Sequence, residues 1–428
     1  MQQRQRVMTM ANRSNLAWHR TSHLRKTIQG FLATVALVTG VSGYSQFANA
    51  ADVTISAEYR PSTRAVKGNG FVNVTPASKL CRSGAWSCQG MNTIDLPIGP
   101  VEYGPVAAGA TSREAFFVRW PNAQTRILLR EEKSNRVAYA TFRVTGIAGQ
   151  YVAPGKTDMA GIFGSGMHAP SGRCAAIPAP RPTSPNAMTF AWATPSDGGC
   201  AGTPLRDVAA GEISIPGGSL ALSYELVPPN PVDLPSGIYR GSHTFFVGPG
   251  QDFDFGDQAR VSRQSVDLEF VLVVNHPFHL SNQNSLIVVD LAPPQGWHQW
   301  FNGGKPRGRI DHHVDFGLSS GSPLQVSIRC GTQPAQDGRC VLRNEKSSEV
   351  PLDLRLTIIG ATTESSLPFS RIPLTAHTPV KIMVDRYLNN AQGLLDIGID
   401  NGGLAEMGRN METRYGERIS VIFDALTE

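Results

Sequence analysis

The chain closes on Arg414-Tyr415-Gly416-Glu417-Arg418-Ile419-Ser420-Val421-Ile422-Phe423-Asp424. Ile419, Val421 and Phe423 fall on one face of an extended chain and Ser420 and Asp424 on the other, which is the period of a half-buried strand. Tyr415 and Gly416 read as a bend opening that strand. A hydrophobic strand must be paired, because an exposed apolar edge invites aggregation. A similar closing strand stands mid-chain at Gly237-Ile238-Tyr239-Arg240-Gly241-Ser242-His243-Thr244-Phe245-Phe246-Val247. Two such strands predict two β domains in series.

Composition agrees. A hydrophobic fraction of 41% over 428 residues is enough for two or three cores. Low charge (17%) with 43 Gly and 30 Pro points to strands and turns rather than long helices.

The first fifty residues differ in kind. They hold Arg4, Arg6, Arg13, Arg20, Arg25 and Lys26 and no acid, then the apolar run Phe31–Val38 and the small-residue exit Ala48-Asn49-Ala50. This reads as a secretory signal peptide over 1–50, with Met8 or Met10 as an alternative start. The apolar run is short of the ~20 residues a membrane span needs. Without the leader, the 39 basic residues become 33 against 34 acidic, a net −1, so the mature chain has no basic excess for nucleic acid.

Six cysteines follow the leader: Cys81, Cys88, Cys174, Cys200, Cys330 and Cys340. In an exported protein they are expected to form disulfides, and pairing in sequence order is the simplest of fifteen connectivities. No Cys-x-x-Cys spacing supports zinc.

Short strands are expected at Val53–Ala57, Ala115–Val118, Ile127–Leu129, Val137–Phe142 and Leu220–Tyr224. The Gly/Pro/Ser/Ala-rich stretch from Gly161 to Gly202 reads as a long surface excursion. Val266, Leu268 and Phe270 begin a strong strand, and the domain boundary is placed near Arg260–Ser265. Later strands are expected at Leu286–Leu291, Leu324–Ile328, Leu352–Ile358, Val380–Val384, Leu394–Ile399 and Ile419–Phe423. About 160 residues of this kind suit an immunoglobulin-like sandwich. No amphipathic helix longer than two turns is expected.

The ordered set Leu234-Pro235-Ser236-Gly237-Ile238-Tyr239-Arg240-Gly241, Val247-Gly248-Pro249-Gly250-Gln251-Asp252-Phe253-Asp254-Phe255-Gly256, Pro293-Pro294-Gln295-Gly296-Trp297-His298-Gln299-Trp300 and the terminal Tyr/Gly strand resembles a known family. It is that of the CblD-like pilus initiators and tip adhesins of alternate (class 5, alpha) chaperone–usher fimbriae. The resemblance implies an all-β chain of two immunoglobulin-like sandwiches: an adhesin domain over 51–263 and a pilin domain over 264–428 that lacks one strand. It further implies a periplasmic chaperone, an outer-membrane usher and a major pilin as partners, and a surface glycan or glycoprotein as receptor. A neighbour's strand would complete the open groove by β-augmentation beside Tyr415, Gly416, Ile419, Val421 and Phe423. The family's final strand opens Tyr-x-Gly, whereas Gly416 directly follows Tyr415 here. The family's receptor-binding arginines have no counterpart in Gly248-Pro249-Gly250.

The residues offer other candidates. Lys79, Arg82 and Trp86 surround the Cys81–Cys88 loop, where an indole could stack on a sugar and a guanidinium fork onto a carboxylate; an ordinary surface loop with Trp86 tucked into the core is the preferred reading. Arg113, Arg119, Trp120, Arg126 and Arg130 form a second basic–aromatic cluster, which strand alternation would split between faces. Gly317-Leu318-Ser319-Ser320-Gly321 matches the nucleophile-elbow pattern but precedes a strand rather than a helix. Asp311, His312, His313 and Asp315 converge poorly for a metal on an alternating strand. Asp252 and Asp254 alternate with Phe253 and Phe255 as at an edge packing its aromatics. No catalytic group, metal or cofactor is expected. Val53-Thr54-Ile55-Ser56-Ala57 is either the adhesin domain's own first strand, the preferred reading, or a donor to another subunit. The functional expectation is a tip adhesin, with an adaptor or minor pilin as the alternative.

Overall fold

The computed structural model describes residues 9–12, 51–61, 70–155, 157–164, 169–172, 174–177, 184–193, 199–281, 286–292, 297, 308–410 and 412–426. The leader read at 1–50 lies outside these residues except for Thr9–Asn12, and so does most of 293–300. The described chain is all-β, with strands gathered around two separate hydrophobic cores.

The first core is enclosed by one large sheet. Its main path runs from Ala259–Val261 through Val101–Tyr103, Ser214–Ile215, Val137–Val152, Thr125–Glu131, Gly237–Phe246 and Ser265–Val274 to Val53–Tyr59 and Phe71–Asn73. The sixteen-residue strand Val137–Val152 is its spine. Its first half pairs with Thr125–Glu131, and its second with Ala187–Ala193 and Leu220–Val227. Phe142, Ile147, Tyr151, Leu222 and Phe270 meet in one core, so the sheet wraps its own apolar face. Val53–Tyr59 runs parallel to Ser265–Val274 with Ile55 and Ala57 buried, so it is this body's own strand.

The second core lies between two sheets. One orders His279–Leu280, Ile310–Ser320, Leu388–Ile399, Asp353–Ile358 and Ile372–Pro373; the other orders Thr9–Asn12, Ile419–Ala425, Leu324–Cys330 and Val380–Ile382. Alternation does the work. In Asp353–Ile358 the leucines at 354 and 356 and Ile358 are buried while the residues between them are half-exposed.

Four expectations change. Ser265–Val274 pairs with Gly237–Phe246 over ten residues and gives Val266, Leu268, Phe270, Leu272 and Val274 to the first core. The two bodies therefore divide after Val274, not near Arg260–Ser265. Within the supposed excursion, Ala187–Ala193 is an inner strand whose five central residues are all buried, Met188, Phe190 and Trp192 in the main core and Ala191 against Trp86. Leu286–Leu291 joins no extended strand, although Val289 and Leu291 are buried. A nine-residue helix, Asn401–Arg409, caps the second body, with Asp400 accepting from the Gly403 amide at its N-cap. Gly402 and Gly403 in its first turn hid it from propensity.

Candidate functional site

The terminal strand is built from its entry. Tyr415 is buried, and its hydroxyl donates to Ser348 Oγ at 2.9 Å. Ser348 in turn donates to Glu406 Oε1 at 2.7 Å, and Asn344 Nδ2 donates to Thr413 Oγ1 at 2.9 Å. A small polar network thus pins the turn before the strand. Gly416 exchanges backbone hydrogen bonds with Arg343, at 3.0 and 3.3 Å. A Cβ there would meet nothing within 4 Å, and its φ is not left-handed. Pairing with Arg343, rather than glycine's conformational freedom, sets the entry geometry.

Ile419, Val421 and Phe423 are each 1% exposed and point into the second core, where Phe423 lies 5.6 Å from Phe316 between ring centroids. On one side the strand pairs antiparallel with Leu324–Cys330 over seven residues, from Cys330 opposite Ile419 to Leu324 opposite Ala425. On the other, its described neighbour is Thr9–Asn12, which runs parallel with Thr9 opposite Ser420 and Asn12 opposite Phe423. Among the described residues, that side is thus paired by a distant segment and by no strand of the second body's own sequence. Leu286 and Val288 add 64% and 53% exposed apolar side chains to the same body.

All three disulfides join neighbours in sequence order: Cys81–Cys88, Cys174–Cys200 and Cys330–Cys340. The first closes a loop begun by the short helix Lys79–Arg82, whose N-cap Ser78 accepts from the Cys81 amide. Trp86 is 1% exposed and packs with Leu80, Ala148, Ala191 and Ala221. Its indole cannot stack on a ligand. Lys79 and Arg82 stay at the surface, with Arg82 Nη1 donating to the Ala77 carbonyl at 2.5 Å. The three residues do not form one recognition surface, because the small side chains of Ala148, Ala191 and Ala221 leave the space that Trp86 fills.

The second cluster separates in three ways. Trp120 is buried. Arg113 and Arg119 turn to Asp254, which is fully buried: Arg113 Nη1 lies 2.5 Å from Asp254 Oδ2, and the Gly250 and Gly256 amides donate to the same carboxylate at 2.7 and 3.0 Å. Burial alone would raise the Asp254 carboxyl, but Arg113 and the two amides outweigh it and hold it below the ordinary carboxylate range. Asp254 is thus no outward edge residue; it anchors the loop whose Phe253 and Phe255 enter the core. Arg126 and Arg130 face outward together from Thr125–Glu131.

Ser319 and Ser320 are buried within the Ile310–Ser320 strand, and Ser319 Oγ accepts from the Asn390 amide at 2.9 Å. No strand–turn–helix elbow exists there. His312 and His313 are both exposed on the same strand, 6.1 Å apart between ring centroids. Among the described residues no group of histidine, cysteine and carboxylate side chains could hold a metal, and no helix is long and apolar enough to cross a membrane.

No protein-family model matches the sequence, and no curated protein is similar to it. Solved structures give distant likenesses. A chaperone–tip adhesin complex of CFA/I fimbriae biogenesis is 11% identical, covering 89% of this chain and 98% of that one, at a TM-score of 0.30. CfaE, the adhesive subunit of the CFA/I fimbria of enterotoxigenic Escherichia coli, is 9% identical over 89% and 99%, at 0.27. The CsuC–CsuE chaperone–tip adhesion subunit complex of archaic Csu pili of Acinetobacter baumannii is 9% identical over 87% and 98%, at 0.21. Similarity this low fixes neither function nor partner.

Proposed function

We propose that the protein is a fimbrial tip adhesin that initiates pilus assembly and binds a surface receptor, a glycan or glycoprotein, without catalysis. The observation that carries this reading is that one side of Ile419–Ala425 is paired, among the described residues, only by the separate segment Thr9–Asn12, which lies along it in parallel. A sheet edge above a fully apolar row of Ile419, Val421 and Phe423 is the arrangement that β-augmentation uses. A periplasmic chaperone would supply the missing strand first, and a major pilin would replace it at the outer-membrane usher. The first body's opening strand, Val53–Tyr59, is committed to its own sheet. The subunit would therefore accept a strand without donating that one, which suits the tip of a fibre exported through the periplasm to the cell surface.

Fusing a donor-strand peptide from the matching major pilin beyond Glu428 should stabilise the second body. An unchanged unfolding transition would remove the open-groove reading. An adaptor or minor pilin would accept a strand equally well; it is separated from an adhesin by whether the mature chain binds host cells.

A further inference from the structure

The Thr125–Glu131 strand sends Ile127, Leu129 and Glu131 inward and Arg126, Leu128 and Arg130 outward. Beside it, Val137 and Tyr139 face the same way, with Tyr139 opposite Leu128. Leu128, Val137 and Tyr139 are 40%, 42% and 45% exposed. The Arg126 guanidinium lies over the Tyr139 ring, 3.5 Å from its centroid. Among the described residues neither Arg126 nor Arg130 has a carboxylate partner, whereas the adjacent Arg240 is held by Glu132 and Glu269.

The third strand of this face, Gly237–Phe246, pairs with Thr125–Glu131 only at Tyr239–Glu131 and Arg240–Arg130. A Cβ on Gly241 would sit 2.2 Å from the Leu128 carbonyl oxygen, so glycine permits a close crossing where the ladder ends. A groove of about 400 Å³ lies there, lined by Leu128, Arg130, Arg240, Ser242 and Glu269.

We propose that this face binds an acidic saccharide chain, its carboxylate or sulfate groups on Arg126 and Arg130 and its rings against Tyr139 and Leu128. The proposal rests on the receptor-binding reading above and names its ligand class and site. Four strand residues place the two guanidinium stems about 13 Å apart, with an apolar and aromatic floor between them. Anions spaced along a chain of rings match that pattern. A neutral glycan would cover both cations without a counter-charge, and the leaderless chain's balance of 33 basic to 34 acidic residues disfavours nucleic acid.

The test uses the mature full chain with heparin (sulfated), hyaluronate (carboxylate only) and neutral dextran. Either acidic polymer should bind better than dextran. The Arg126→Glu/Arg130→Glu variant should weaken that binding by about tenfold or more, as loss of charge-assisted bonds requires. Tyr139→Ala should weaken it with an unchanged salt slope, and Arg414→Glu, an exposed change on the other body, should leave it intact. Equal affinity in the double variant, or no preference over dextran, overturns the proposal. If fimbriae carrying the double variant still adhere to host cells, this site is wrong and the adhesin reading stands. If wild-type fimbriae adhere to nothing, both fall.

Discussion

His276 stacks face to face on Tyr387, with ring centroids 4.0 Å apart and planes 10° from parallel. His276 belongs to the segment leaving the first core and Tyr387 to the second body, so this contact joins the two. His276 Nε2 lies 3.0 Å from the carbonyl oxygens of both Pro231 and Leu234, whereas Nδ1 is buried without a partner among the described residues. Nε2 therefore carries the proton and the ring is neutral. Ser236 N to Gly321 O at 2.7 Å and Arg136 Nη2 to Asp385 Oδ1 at 2.9 Å complete the junction.

The junction should be pH-sensitive. Burial lowers the His276 pKa below its ordinary 6.5, and its contacts to the Leu234 and Pro231 carbonyls offset this only in part. A depressed histidine contributes stability that is fully present above pH 6.5 and is lost as pH falls toward the folded value. Thermal unfolding between pH 7.5 and 5 should show this loss, and His276→Gln should flatten it. An identical pH profile in the variant would exclude His276 as the source.

Neutralising the buried Asp254 should destabilise the first body. Asp254→Asn leaves Arg113 facing a lost charge at a site that is fully buried on the acid side. A loss of about 3 kcal/mol in urea unfolding is expected. Because its carboxyl pKa is lowered, the contribution is present above about pH 4 and disappears as pH falls below that.

The Cys174–Cys200 bridge spans 26 residues. Replacing both cysteines with serine should cost about 3–4 kcal/mol by loop-closure entropy, against about 2 for Cys81–Cys88, which spans 7. Calorimetry of the two double variants compares them directly, and an inverted order would rule out the entropic account.

Much of this was legible wherever one strand face meets water. Val266, Leu268 and Phe270 alternate with half-exposed residues, and the same pattern marks Ile419–Phe423; for the disulfides, spacing offers sequential pairing only as the simplest of fifteen connectivities. What escaped lacks a solvent face or a local signature. Ala187–Ala193 is buried on both sides, and its alternation of Met188, Phe190 and Trp192 with small residues stands inside a Gly/Pro/Ser/Ala-rich stretch that reads as loop. The preferred reading of Trp86 as a core residue holds, but sequence does not reveal that three distant alanines make the room for its indole. In sequence Arg126 and Arg130 read as part of a five-residue cluster, but only the strand register separates them from Arg113 and Arg119, whose partner Asp254 is more than 130 residues away in the chain.

The central claim is that Ile419–Ala425 has a side waiting for another chain's strand. Thermal unfolding of residues 51–428, with and without a pilin donor strand fused beyond Glu428, tests it most directly. The account predicts that the fused strand raises the second body's transition by roughly 5 °C or more and leaves the first body's unchanged. A second-body transition that stays in place would contradict it.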